Sequence, residues 1–127
     1  MIAIDSSSWI AYLTGRGGRD VDAICVALED EEAALPPVVL TELLSDPALS
    51  IEAARFFKEL PLLTVVEGYW ERAGFLRARV VAAGRKARMG DVLVAQSCLD
   101  YKVPLITRDR DFRHFARLAG LKLLLGG

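Results

Sequence analysis

Four carboxylates of this chain stand where strands are predicted to end or helices to begin, although they are far apart in sequence. Asp5 directly follows an apolar run at the start, and Asp109 follows a second apolar run near the end. Glu42 lies in the segment VVLTELLS, and Asp91 precedes the apolar segment VLVA. Brought together, these acids would repel one another, and several would have to stay protonated. A hard divalent cation, Mg²⁺ or Mn²⁺, removes that conflict because it binds carboxylates together with water and phosphate oxygens.

A carboxylate site of this kind can hydrolyse a phosphodiester, since it can orient and deprotonate a water and stabilise the leaving oxygen. Neither a histidine nor a nucleophilic cysteine is needed, and the single histidine, His114, is interpreted as an exposed helix residue. The acids also have simpler individual interpretations: Asp5 or Asp91 as a helix N-cap, Glu42 as an exposed helix residue, and Asp109 as a turn residue paired with arginine. Their joint position at one edge of a sheet favours the metal site.

The segment PLITRDRDF, residues 104–112, carries a high density of opposed charge directly after an apolar run. Asp109 is its predicted metal ligand, and Arg108 and Arg110 flank that acid. Guanidinium groups suit bidentate contacts with phosphate, so both arginines are candidates for binding substrate phosphates beside the metal. Asp111, like Asp109, has the alternative interpretation of a turn residue paired with these arginines.

The net charge of −1 hides a division between the two parts of the chain. Residues 1–71 carry 13 acidic and 4 basic side chains, whereas residues 72–127 carry 4 acidic and 12 basic ones. Within the basic part, Arg85, Lys86 and Arg88 precede Asp91 and are further candidates for contact with substrate phosphates, although a solvated loop explains them equally well. A local basic rim would reconcile a sequence pI of about 5.8 with an anionic substrate.

Apolar runs that alternate with helical patterns position these acids and predict an α/β fold with a central, mainly parallel sheet of about five strands. The whole chain, residues 1–127, is predicted to form a single domain. The predicted strands are Ile2–Ile4, 33–35, 62–66, 103–107 and 121–125. The predicted helices are 6–13, about 20–27, a brief one over 38–45, one capped by Ser50, 69–83, 91 to about 101, and 114–119. The carboxyl ends of the strands would share one edge, where open α/β sheets hold their sites.

Several classes of protein are excluded by composition. No apolar run approaches the roughly 18 residues of a membrane helix, and the first residues lack the basic stretch of a signal peptide. Cys25 and Cys98 are too isolated for a disulfide framework or a familiar zinc site, which fits a reducing cytoplasm. The hydrophobic fraction of 53% is high for a soluble monomer and indicates apolar surface used in association.

Three segments and the closing apolar strand resemble the PIN domain, in the order of that family and over nearly the whole chain. The segments are AIDSSSWIAYL, PPVVLTELLS and GDVLVAQSCLDYKVPLITRDRDF. The closest subset is the VapC toxins of type II toxin–antitoxin modules. Gln96 and Ser97 depart from this pattern, because small alanines are common at their positions, but both lie in the body of a helix.

The resemblance implies a role for individual residues. The catalytic and metal-binding acids would be Asp5, Glu42, Asp91 and Asp109. Asp111 is variable in the family and would be a weaker, outer ligand. The small hydroxyl after the first acid would come from Ser6 or Ser7, and Thr107 would be the hydroxyl that precedes the last acid.

The same resemblance implies a PIN-like α/β/α sandwich and a hydrolase, a Mg²⁺- or Mn²⁺-dependent endoribonuclease that cuts single-stranded loops of structured RNA. It implies a homodimer and a cognate antitoxin whose tail lies in an apolar groove. The helices that carry Trp9 and Tyr12 and Phe56 and Phe57 are candidates for that groove, with core packing as the alternative. Two other functions stay open, namely a housekeeping PIN nuclease without an antitoxin and a catalytically silent module that binds RNA or protein. A receiver domain or a haloacid-dehalogenase-type phosphatase is disfavoured because serines follow Asp5.

Overall fold

A parallel sheet lies at the centre of the fold, in a computed structural model that describes residues 1–126. Its three strands, given in their order across the sheet, are β2 (Ala33–Ala34), β1 (Ile2–Ile4) and β3 (Leu105–Ile106). Both neighbours of β1 run parallel to it, with Ala3 paired to Ala34 on one side and to Leu105 on the other. Because β1 is central and its neighbours come later in the chain, both connections must cross over through helices.

Helices make up most of the rest of the described chain. They are α1 (Ser6–Leu13), α2 (Arg19–Glu29), α3 (Pro37–Leu44), α4 (Ile51–Glu59), α5 (Tyr69–Ala82), α6 (Met89–Tyr101) and α7 (Phe112–Ala119). The helix α5 packs against α6 and α7, whereas α1 packs against α2 and α3. The predicted α/β fold is therefore confirmed.

The two outer predicted strands are present as single parallel bridges rather than as full strands. Leu62 bridges to Leu35 beyond β2, and Leu123 bridges to Leu105 beyond β3. Beyond Leu62, only Leu63 is buried, and residues 64–66 are exposed. A strand at a sheet edge gains packing on few sides, so the chain leaves the sheet after one bridge on this side. The parallel arrangement thus has five members, of which three form regular strands.

One hydrophobic core holds the sheet and all seven of these helices together. The strands contribute small and branched side chains that are fully buried, such as Ala3, Ile4 and Ile106. Each helix contributes to the same cluster, and representative residues are Trp9, Ile24, Val39, Phe57, Leu76, Val92 and Phe115. A parallel sheet is covered on both faces, which explains why its strands read as continuous apolar runs.

The aromatic residues predicted near an antitoxin groove belong mainly to this core. Trp9 and Phe57 are both 0% exposed, and their rings meet edge to face at 5.1 Å between centroids. Tyr12 and Phe56 are partly buried and pack edge to face on Trp9. For Trp9 and Phe57, the alternative interpretation as core residues is therefore the right one.

Three helix starts show which residues occupy the N-cap positions. The hydroxyl of Ser50 accepts the N–H of Ala53 at 3.0 Å, so this predicted N-cap is confirmed. The cap residue of α6 is Arg88, which places Asp91 inside the first helical turn rather than at the cap. Asp20 likewise lies inside α2, whose cap position is Gly18. Both aspartates are consequently free to make other contacts.

No helix among residues 1–126 combines the length and the apolar character that crossing a membrane requires.

Candidate active site

The carboxyl ends of β1 and β3 deliver the first and last predicted acids to one edge of the sheet. The N–H of Asp5 donates to the carbonyl of Ile106 at 3.0 Å, so the two strands are still paired where Asp5 begins the turn into α1. Thr107 follows Ile106 directly, and Asp109 comes two residues later. This pairing of parallel strand ends is the arrangement that the sequence pattern predicts.

Asp5 is a buried carboxylate that two hydroxyl groups hold in place. It is 5% exposed, and its Oδ2 accepts hydrogen bonds from Ser7 Oγ at 2.8 Å and Thr107 Oγ1 at 2.9 Å. Burial raises the pKa of Asp5, although the two hydroxyls oppose that rise and the charge of Asp109 adds to it. The predicted role of Thr107 as a supporting hydroxyl therefore has a structural basis. Of the two serine candidates, Ser7 is the one that donates to Asp5.

Three other acids come closest to one another. Carboxylate oxygens of Asp91, Asp109 and Asp111 lie within 4.8 Å of each other. Short-range contacts fix the loop that carries two of them: Asp109 donates its N–H to Thr107 Oγ1 at 3.0 Å, and its Oδ1 accepts the N–H of Asp111 at 2.9 Å. Asp111, which the sequence marked as the weaker candidate, is thus a full member of the tightest cluster.

The cluster is electrostatically unfavourable for Asp91 when no cation is bound. Burial, the largest cause, raises the pKa of Asp91 to about 6, and the charges of Asp109, Asp5 and Asp111 act in the same direction. The nearby guanidinium of Arg88 lowers this pKa but does not cancel the rise. A set of closely spaced carboxylate oxygens without histidine or cysteine fits a hard divalent ion such as Mg²⁺ or Mn²⁺.

Glu42 reaches the site from α3, at the rim rather than in the closest cluster. Burial of its carboxyl raises its pKa, the charge of Asp5 adds to the rise, and the hydroxyl of Ser6 opposes it. Its Oε2 faces the start of α6, since a Cβ added to Gly90 would stand 3.5 Å from that oxygen. Ser6 and Ser7 therefore have different partners, because Ser6 acts on Glu42 whereas Ser7 acts on Asp5.

The predicted basic residues differ in how close they come to these acids. Lys86 Nζ lies 4.0 Å from Asp111 Oδ2, and Arg88 is near enough to affect Asp91. Arg110 is exposed and forms no ion pair within residues 1–126. Arg85 is exposed in the loop before α6.

Arg108 has a partner that the sequence did not reveal. Its Nε lies 2.8 Å from Asp20 Oδ2 and its Nη2 lies 2.9 Å from Asp20 Oδ1, and the hydroxyl of Ser8 donates to the same Oδ2 at 2.8 Å. This bidentate pair joins α2 to the loop after β3. The Nε and Nη2 of Arg108 are thus engaged by a buried carboxylate, so its predicted contact with RNA phosphate stays a prediction.

Comparison with known families identifies the fold. A family model described as the PIN domain matches residues 2–118. This chain belongs to the PIN-domain family.

The relatives of this PIN domain include named ribonucleases. VapC ribonuclease Mb1587 of Mycobacterium bovis and ribonuclease VapC11 of Mycobacterium tuberculosis are each 28% identical to it over 129 residues, and the match covers 96% of both chains. The family predicted from the sequence motifs is therefore confirmed, and the curated relatives are VapC proteins.

Solved structures share its fold. VapBC2 from Rickettsia felis, bound to a DNA fragment from its promoter, matches with a TM-score of 0.74 and 18% identity over 97% of each chain. VapBC-5 from Mycobacterium tuberculosis, a member of the VapBC family of toxin–antitoxin systems, matches with a TM-score of 0.68 and 19% identity over 95% of this chain and 94% of that one.

Proposed function

We propose that this PIN domain is a metal-dependent endoribonuclease and the toxin of a type II toxin–antitoxin module. The observation that carries the proposal is the convergence of Asp5, Asp91, Asp109 and Asp111 at one edge of the sheet, with Glu42 at the rim. The VapC relatives are named as ribonucleases, and their match extends over 96% of this chain. The cluster of acids supports metal-dependent hydrolysis, and the names of the relatives support RNA as the substrate class.

The chain itself provides a fixed set of oxygen ligands and a set of cations for the substrate. Asp91, Asp109 and Asp111 would hold Mg²⁺ or Mn²⁺, with Asp5 and Glu42 beside them. The bound ion would neutralise the carboxylates and supply Lewis acidity toward a phosphodiester and its attacking water. Ser7 and Thr107 keep Asp5 in one orientation.

Phosphate binding is assigned to the basic side chains on the rim of this cluster. Lys86, Arg88 and Arg110 are exposed, and two of them come close to the acids. A strand of RNA drawn against these cations would bring one of its phosphates to the carboxylates, because phosphate contacts position a nucleic acid without reading its bases.

The proposed antitoxin would be a protein with an apolar tail that lies between α1 and α4. A cavity of about 240 Å³ there is lined by Ile10, Leu13, Leu49 and Ala53, among others. Ile10 and Leu13 are 49% and 41% exposed, so the cavity presents apolar side chains that a partner could cover. Ile10→Asp should weaken binding of the antitoxin encoded beside the gene and leave RNA cleavage intact, and loss of cleavage would contradict this placement.

The proposed homodimer would use a second apolar surface. A cavity of about 490 Å³ is lined by residues of α3, α5, α6 and the segment between α4 and α5, including Val38, Val65, Trp70 and Leu93. Trp70 is 64% exposed. Trp70→Glu should convert the dimer to a monomer in light-scattering measurements of mass, and a wild-type protein that is already monomeric would rule the dimer out.

Cleavage of a structured RNA pool tests the enzymatic proposal directly. Purified protein is assayed with Mg²⁺, with Mn²⁺ and with chelator, beside Asp5→Asn and Asp91→Asn. Asp30→Asn is the matched control, because Asp30 is an exposed aspartate at the end of α2 and contacts none of the site acids. Metal-dependent cleavage that the two site variants lose and the control keeps would support the nuclease. Cleavage that persists in chelator or in both variants would refute this site, and no cleavage by folded, metal-loaded wild type would favour a binding module.

A further inference from the structure

The helix next to the acids carries an arginine ridge, and the catalytic proposal does not use the two members that lie on the helix itself. Arg113 and Arg117 lie one turn apart on α7, about 6 Å along its axis, and both are exposed. The opposite face of α7 is buried through Phe112 and Phe115. Arg110, in the turn before the helix, extends the ridge toward Asp109.

A groove runs along this ridge and opens at the acidic cluster. One cavity of about 160 Å³ has Asp109, Arg110 and Arg113 in its lining, and a neighbouring cavity of about 420 Å³ has Arg113 and Arg117. Arg113 and Leu123 line both cavities, so the two adjoin and together form a groove along α7. The path from a site acid to the far end of α7 is therefore concave and bordered by arginine.

The ridge arginines differ from the arginines that have structural partners. Arg72 and Arg108 each bind an aspartate through two nitrogens. Within residues 1–126, Arg110, Arg113 and Arg117 form no ion pair. Their guanidinium groups are thus available for a phosphate.

The floor of the groove is apolar, which indicates the form of nucleic acid that it fits. Leu121, Leu123 and Ala116 line the wider cavity between the arginines. A duplex presents its phosphates outward and keeps its bases stacked inside, whereas a single strand can turn bases or sugars toward apolar side chains while cations hold its phosphates.

We propose that this groove along α7 binds the single-stranded RNA segment adjacent to the phosphate that is cleaved, with Arg113 and Arg117 as phosphate ligands. The inference rests on the proposed ribonuclease function and adds the surface that holds its substrate. It also names two phosphate ligands, Arg113 and Arg117, that have no ion-pair partner within residues 1–126.

Binding of a fluorescein-labelled single-stranded RNA of mixed sequence, measured by anisotropy in chelator, tests the groove without cleavage. In Arg113→Gln/Arg117→Gln, the Kd should rise about 10-fold or more. The slope of log affinity against log salt should fall by about 0.7 for each lost phosphate contact. Arg55→Gln/Lys58→Gln is the matched control, since it removes two exposed cations from one face of α4. Wild-type affinity and slope in the α7 double variant would overturn the proposal, as would an equal loss for the same RNA annealed into a duplex.

Cleavage kinetics show whether a negative result contradicts the proposed RNA-binding groove or the proposed nuclease activity. If wild type cleaves the RNA pool, the α7 double variant should show a raised KM with kcat nearly unchanged. If the double variant instead keeps the wild-type kcat/KM, the proposed role of the groove is wrong and the proposed nuclease activity is unaffected. If wild type does not cleave at all, the nuclease is wrong, and the binding measurement still decides whether α7 holds single-stranded RNA.

Discussion

Two aspartates of the same helix, α6, meet opposite electrostatic environments. Asp100, near the end of the helix, accepts two hydrogen bonds from Arg72, at 3.0 and 2.6 Å, and one from Gln96 at 2.8 Å. Asp91, in the first turn, faces the acids Asp109 and Asp111, and its pKa is raised to about 6. The residue type is the same, but Asp100 forms a direct ion pair with an arginine, whereas Asp91 forms none within residues 1–126.

The comparison shows how a structural acid differs from a functional one. The Asp100 pair joins α5 to α6, and its charges are satisfied in the folded chain. The acids around Asp91 are left in mutual repulsion, an arrangement that is concentrated at functional sites, where a bound cation relieves it. Asp20 belongs to the first kind, because Arg108 and Ser8 satisfy it and its pKa is lowered, chiefly by the hydrogen bonds from Arg108.

The largest expected difference between the two aspartates is in catalysis. Asp91→Asn should lower RNA cleavage by on the order of 100-fold or more, because it removes a ligand of the proposed ion. Asp100→Asn should keep cleavage near the wild-type rate once the folded fraction is taken into account. Single-turnover cleavage at matched concentrations of folded protein measures both. Equal losses in the two variants would mean that the comparison does not separate function from structure.

Metal binding should divide the variants in the same way. A ligand that binds only the folded state stabilises it by about 2.7 kcal/mol at a concentration 100 times its Kd. Mn²⁺ should therefore raise the Tm of wild type and of Asp100→Asn, but have little effect on Asp91→Asn. A wild-type Tm that does not respond to Mn²⁺ or Mg²⁺ would contradict a metal site in the acidic cluster.

In chelator, the free energy of unfolding should fall as pH rises, because the site acids repel one another once they are ionised. The folded pKa of Asp91, about 6, lies above its ordinary value of 3.8, and those of Asp5 and Glu42 are also raised. Protonation of these acids stabilises the folded state. This contribution is complete below their ordinary pKa values and is lost as pH rises through their raised pKa values in the folded state. The free energy of unfolding should thus fall between about pH 4 and pH 7, with Asp91 accounting for about 1–3 kcal/mol.

Denaturant unfolding across this pH range measures that fall, and Asp91→Asn is its control. The free energy of unfolding of this variant should depend less on pH. In chelator at pH 7, the variant should be at least as stable as wild type. The contribution of Asp20 to stability should change with pH in the opposite direction. It is present above the ordinary pKa of Asp20 and is lost as pH falls through its lowered pKa in the folded state. A wild-type stability that rises steadily from pH 4 to pH 7 would contradict the assigned directions for the site acids.

The position of the two acids that follow strands was predictable from sequence, because it depends only on the direction of those strands. An acid that directly follows a parallel strand must lie at the carboxyl edge of the sheet, which suffices for Asp5 and Asp109. The place of Asp111 in the closest cluster has a local signal in the Asp-x-Asp spacing, because a side-chain oxygen of Asp109 accepts the N–H of Asp111. That contact is local in sequence and is a common property of aspartate in turns.

The partner of Arg108 was not predictable in this way. Asp20 is 88 residues distant, and the pair forms only because α1 and α2 pack beside the loop after β3. The outer strands were predicted too long for a related reason. Apolar runs such as 62–66 have strand-like composition, but whether they stay in the sheet depends on neighbours that a local pattern does not contain.

The smallest expected effect is on the stability of the structural pair. Asp100→Asn should lower the Tm by about 4 °C, because the side chain of Asp100 is only 9% exposed and the substitution weakens two contacts with Arg72. Arg72→Gln should have a similar effect. The double variant should lose less than the sum of the two, since both substitutions remove the same interaction. Thermal unfolding of the four proteins measures this coupling, and strictly additive losses would show that the two side chains act independently. In that case Asp100 would need a different explanation, and its contrast with Asp91 would rest on the catalytic measurement alone.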